Sequence, residues 1–185
     1  MKKTLTLAAL TLGLALAGCG NTGNVEDDPV DSTAEAGENR LFATVEQIDD
    51  LSTAHDLIEK AGLQTTFVGV GAYTLFLPHD DAFANVPEEE LERLISEEGR
   101  PKLIALLRRH IAVGAITRAD LDRALEINSG SIQLASVADT PIDVRAADGE
   151  VTLGRGDDAP QLTGQAKAAS NGVVYVIDGL IPPDS

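Results

Sequence analysis

Residues 79 to 81, His79-Asp80-Asp81, set an imidazole beside two carboxylates, a grouping that could share protons or hold a cation. Consecutive side chains seldom converge on one ion, however. In a strand-to-helix turn Asp80 or Asp81 has a simpler task, capping the helix that starts with Ala82 and Phe83. A hydrolase built on this trio is therefore the weakest functional reading of the chain. His110 follows Leu103, Leu106 and Leu107 on the apolar side of a helical pattern, which predicts a core histidine satisfied by a backbone carbonyl. His55 stands beside Asp56 on an exposed flank, and Asp178 next to Gly179 is placed to direct a turn. Arg155-Gly156-Asp157 spells the integrin-binding tripeptide in a predicted exposed turn, where a Gly-Asp hairpin turn accounts for the same residues. The serines and threonines lie in turns and caps, with no nucleophile elbow among them. No catalytic residue, metal ligand set or cofactor motif emerges, so the expectation is a protein without enzymatic activity and without a cofactor.

The most reactive side chain is Cys19, the one cysteine of the chain. A basic opening, Met1-Lys2-Lys3, leads into the apolar run from Leu5 to Ala17, which has the layout of a secretory signal and is too short to span a bilayer. It ends in Leu16-Ala17-Gly18-Cys19, which resembles the bacterial lipobox. The resemblance implies cleavage between Gly18 and Cys19 and a diacylglycerol on the Cys19 thiol, so that residues 1–18 are a signal peptide. Losing Lys2 and Lys3 would deepen the formal charge from −16 to −18. The acyl chains alone would then hold the protein to the membrane. Gly20 rather than Asp follows the cysteine, which by resemblance to Gram-negative sorting favours the outer membrane of the cell envelope. Residues 20–39 carry six acids, no base and three glycines, so 19–40 reads as a lipidated cysteine on a flexible acidic stalk.

The whole chain of 185 residues is 43% hydrophobic, enough for one domain with a core, here 41–185. Fourteen Lys and Arg against 30 Asp and Glu repel a nucleic-acid backbone, and 3% aromatics with no Trp give little surface for stacking bases. Nucleic acid is excluded as a partner.

The first half of this domain reads as helical. Phe42, Val45, Ile48 and Leu51 recur at helical spacing, and Ser52-Thr53 would cap a second segment through Ala54, Leu57, Ile58 and Ala61 up to Gly62. Thr65 to Val70 and Tyr73 to Leu77 read as two strands around a glycine turn. Pro87 with Glu88, Glu89 and Glu90 starts a helix that buries Leu91, Leu94 and Ile95, Pro101 opens another, and Thr117 with Asp120 forms a capping box. Beyond Gly130 the period becomes alternating, predicting antiparallel strands joined at Asp148-Gly149, at 154–160 and at Asn171-Gly172. Helices segregated from a mainly antiparallel sheet define an α+β class.

Two segments in this frame carry a resemblance. Tyr73 to Ala84, with Phe76, Pro78, Asp80 and Phe83, looks like the first signature of fasciclin (FAS1) domains, and Asn171 to Pro183, with Gly172 and Asp178, looks like the closing one. Between them Leu106 to Ile111 sits where that family has a Leu-Leu-Tyr-His-Val segment. The resemblance implies an antiparallel β-sandwich or wedge with helices at one side, and a role in adhesion or extracellular binding through a protein or glycan partner. Arg109 stands where many members have the tyrosine of their Tyr-His pair, so the integrin contact linked to that pair is not carried over. His79 replaces the usual threonine. A periplasmic carrier of a small apolar ligand between helices and sheet is the alternative.

Overall fold

The computed structural model describes residues 37–84 and 86–183. The candidate cleavage and lipidation positions, Gly18 and Cys19, lie outside them. The helices are α1 (Leu41–Val45), α2 (Ser52–Ala61), α3 (Glu88–Ile95), α4 (Arg100–Arg108) and α5 (Arg118–Ile127). The strands are β1 (Tyr73–Pro78), β2 (Ile111–Val113), β3 (Ser131–Leu134), β4 (Ile142–Ala147), β5 (Glu150–Leu153), β6 (Leu162–Ala169) and β7 (Gly172–Ile177). They form a four-stranded sheet in the order β2-β1-β7-β6 and a three-stranded sheet, β3-β4-β5.

The four-stranded sheet is the middle layer. Leu75, Leu77, Val174 and Val176 point to one face, where they pack with Leu57, Ile58, Leu103 and Phe67 from the helical side. Phe76, Val173, Tyr175 and Ile177 point to the other, against Val144 and Leu153 of the second sheet and Leu121 and Leu125 of α5. Because side chains alternate along a strand, a strand covered on both faces needs apolar residues at every position. That is why Leu75-Phe76-Leu77 and Val173 to Ile177 are unbroken apolar runs. The Phe76 and Tyr175 rings stack at 5.4 Å, and the Tyr175 hydroxyl donates to the Ile116 carbonyl at 3.0 Å.

The two signature segments are neighbours in space. β1 and β7 pair in parallel from Tyr73 opposite Gly172 to Pro78 opposite Ile177, which the alternating pattern of an antiparallel sheet did not anticipate. The other four strand pairings are antiparallel.

Three local expectations change. Thr65 to Val70 is not a strand: Leu63–Val68 is a 3-10 helix that buries Leu63 and Phe67 and leaves Val68 and Val70 exposed. Gly62, left-handed at φ 75°, ends α2 there, and the four-residue spacing of Leu63 and Phe67 overrides the β-branched propensity of the segment. The helical pattern from Phe42 to Leu51 breaks into α1 and a 3-10 turn at Asp49–Leu51. Helix α3 buries no residue fully, and Ile95 is 42% exposed. The capping box stands as read: Thr117 Oγ1 accepts the Asp120 N–H at 3.2 Å, and Asp120 Oδ2 accepts the Thr117 N–H at 3.3 Å.

Candidate functional site

His110 lies just past the end of α4, in the turn that leads to β2, and is 1% exposed. Its Nδ1 lies 2.9 Å from the Leu106 carbonyl, and its Nε2 accepts the Ile181 N–H at 2.9 Å. An imidazole that accepts at Nε2 must donate at Nδ1, so these two bonds select one neutral tautomer. Burial pushes its pKa down to about 4; the Leu106 carbonyl opposes this, and the Arg109 charge adds to it. The ring thereby ties the end of α4 to the segment after β7 and leaves no ring nitrogen for chemistry.

Asp80 does not cap its own turn. The 3-10 turn Asp80–Phe83 has no side-chain cap, whereas Asp80 Oδ1 accepts the Thr53 N–H at 2.8 Å and Oδ2 accepts the Ser52 hydroxyl at 2.7 Å. It therefore caps α2, 27 residues away in sequence, where Ser52 and Thr53 are the capped groups and not the cap. Burial raises its pKa, but the bonds from Ser52 and Thr53 outweigh this and hold the carboxyl below its ordinary value. His79 contributes its backbone N–H to the Ile177 carbonyl at 3.0 Å, and Asp81 is exposed. The three side chains of this segment do not form a metal cluster.

The closing signature supplies a clamp. Asn171 Oδ1 accepts the Leu41 N–H at 2.9 Å, and its Nδ2 donates to the Phe67 carbonyl at 2.8 Å. One amide side chain thus joins α1, the 3-10 helix and the β6–β7 turn. Beside it Gly172 is required by close approach, since a Cβ there would lie 1.9 Å from the Tyr73 carbonyl oxygen. Asp178 Oδ1 accepts the Gln161 N–H at 2.7 Å, fastening the end of β7 to the approach to β6. Pro78, Phe76 and Phe83 are buried.

Arg155, Gly156 and Asp157 lie in an exposed turn after β5, as the sequence implies. Arg155 is not free there. Its Nε donates to Asp143 Oδ2, and Gln133 donates to Asp143 Oδ1 at 2.8 Å. Asp143 is 9% exposed and, through the Gln133 bond against the cost of burial and with Arg155 assisting, sits below its ordinary pKa. The guanidinium of the tripeptide is thus paired with Asp143 at the surface, its side chain 60% exposed.

Two features escape the sequence reading. His55 stacks on Phe42 at 4.6 Å and, with Asp56 and Glu59, brings three ligand-type atoms within 4.8 Å of one another on the outer side of α2. A groove of about 350 Å³ lies at the end of α4, lined by Ile104, Ala105, Arg108, Arg109, Val137 and Thr140 among others. The paired arginines were its one signal in sequence. Among the described residues, no helix is long and apolar enough to cross a membrane.

Comparison with known proteins agrees with the geometry. A Fasciclin domain profile matches residues 49–183. Protein sll1483 of Synechocystis is 32% identical over 135 residues, covering 73% of this chain and 68% of its own length. Transforming growth factor-beta-induced protein ig-h3 of Sus scrofa is 27% identical over 84% of this chain, which spans only 21% of that longer protein. The solved FAS1 domain pair of the insect cell adhesion molecule Fasciclin I superposes with a TM-score of 0.68 at 18% identity, covering 79% of this chain and 51% of that one. With both signatures paired as β1 and β7 and the match running from Asp49 to Pro183, the chain belongs to the fasciclin domain family.

Proposed function

We propose that this protein is a lipid-anchored binding domain of the cell envelope, which makes adhesive or other extracellular contacts and catalyses no reaction. The observation that carries the reading is the use to which the polar side chains are put. His110, Asp80, Asn171 and Asp178 each hold two distant segments together, so the residues most suited to chemistry are spent on the fold. The kinship with an insect cell adhesion molecule supports contact-making as the class of activity. The anchor rests on Leu16-Ala17-Gly18-Cys19 and the basic-apolar segment before it, and the acidic residues between Cys19 and α1 would hold the domain away from the bilayer. The carrier alternative draws less support, because the space between helices and sheet is filled by Leu57, Ile58, Phe67 and Leu103.

Fractionation and cross-linking of cells carrying the chain or its Cys19→Ser variant test both parts. The unaltered chain should be found with membranes and cross-link to envelope components. Cys19→Ser should leave the membrane fraction or persist as an uncleaved precursor. A Cys19→Ser variant that still fractionates as mature, detergent-soluble membrane protein rules out the anchor. A membrane-bound chain that cross-links to nothing rules out the contact role.

A further inference from the structure

The groove at the end of α4 combines charge with burial in a way that the fold does not use. Arg108 occupies the last turn of α4, where a cation complements the helix dipole. Arg109 follows as the C-cap residue, and its Nε is buried without a hydrogen-bond partner. Its guanidinium belongs to none of the ion pairs among the described residues. A buried donor on a charged group is costly to leave unpaired, and a guanidinium presents a planar fork suited to a carboxylate. Around it the groove offers Ile104 and Ala105 from α4 and Val137 facing them, with the hydroxyl residue Thr140 and the exposed Asp139 alongside.

We infer that this groove binds a small monocarboxylate with a compact apolar body, its carboxylate on Arg109 and its body against Ile104, Ala105 and Val137. The volume, about 350 Å³, suits a small molecule. The charge balance favours a single negative charge: Asp139 shares the groove and the whole chain carries −16, so each further charge on a ligand meets more repulsion. The site needs neither the lipid anchor nor an adhesive partner, so it stands or falls separately from them.

The test titrates the whole chain in detergent micelles with benzoate while the arginine Nε–H resonances are followed by NMR. Benzamide serves as the uncharged counterpart, acetate as the carboxylate without an apolar body, and inorganic phosphate as the higher charge. Benzoate should shift the Arg109 resonance saturably and benzamide should not; acetate and phosphate should bind about tenfold more weakly or worse. Arg109→Gln should lose about tenfold or more in benzoate affinity, Arg109→Lys should recover part of it, and Arg108→Gln should stay within about threefold of the unaltered chain. Absence of a saturable Arg109 shift overturns the site. So does equal binding of acetate, phosphate and benzoate, or a folded Arg109→Gln that binds benzoate normally. Should Arg109→Gln fail to fold, the resonance titration of the unaltered chain decides alone.

Discussion

The buried imidazole of His110 couples this fold to pH between 6.5 and about 4. His110 titrates near 4 in the folded chain because it is buried, against an ordinary value of 6.5. Between those two values the unfolded chain takes up a proton that the folded chain refuses. Stability is therefore complete above pH 6.5 and declines as the pH falls toward 4. From pH 6.5 down to 5, above most of the carboxylate range, the loss should be about 2 kcal/mol. Urea unfolding at the two pH values should show it, and His110→Gln should flatten that part of the profile. An unchanged slope in His110→Gln would assign the pH response elsewhere. Helical spacing pointed to a buried His110, but its second partner, the Ile181 N–H, lies 71 residues on and leaves no trace in local sequence.

At the level of elements, the same carboxylate can be read in two ways. Asp80 precedes a short helical turn, and local sequence makes it the cap of that turn. The tertiary structure turns it to the start of α2, whose N-cap Leu51 has no side-chain oxygen to offer. Asp80→Ala should cost about 1 kcal/mol and Asp80→Asn less, since the amide oxygen can still accept one bond. Because Asp80 is held below its ordinary pKa, its contribution is present above pH 4 and fades as acid protonates it. Thermal unfolding with hydrogen exchange on α2 amides checks the assignment. A loss of protection confined to Asp80–Phe83, with α2 unaffected, would return the residue to its local turn. The 3-10 helix at Leu63–Val68 shows the same limit: β-branched composition suggested a strand, and packing of Leu63 and Phe67 against the helical layer decided otherwise.

For the molecule as a whole, the described residues just before α1 are already tied to the domain. The Asn39 carbonyl accepts the Ser170 N–H at 2.7 Å, and Arg40 Nη1 donates to the Val68 carbonyl at 2.8 Å. If residues 20–39 form the proposed stalk, limited proteolysis should cut there first and leave a resistant core starting near Arg40 or Leu41. A first cut inside α1 or α2 would contradict that division. Much of this domain was determined by the sequence alone. Its apolar runs at 75–77 and 173–177 fall in segments legible as strands, its capping box sets the start of α5, and its two signatures point to the family. These are short-range patterns, written in residue type and period. Only the tertiary structure decided that the signature strands pair in parallel, that Asp80 caps α2, that Asp143 engages Arg155 and that the Arg109 Nε is buried beside a groove without a hydrogen-bond partner. Each of these depends on which distant backbone or side-chain group arrives within hydrogen-bond reach, and that is settled by how the layers pack around the central sheet.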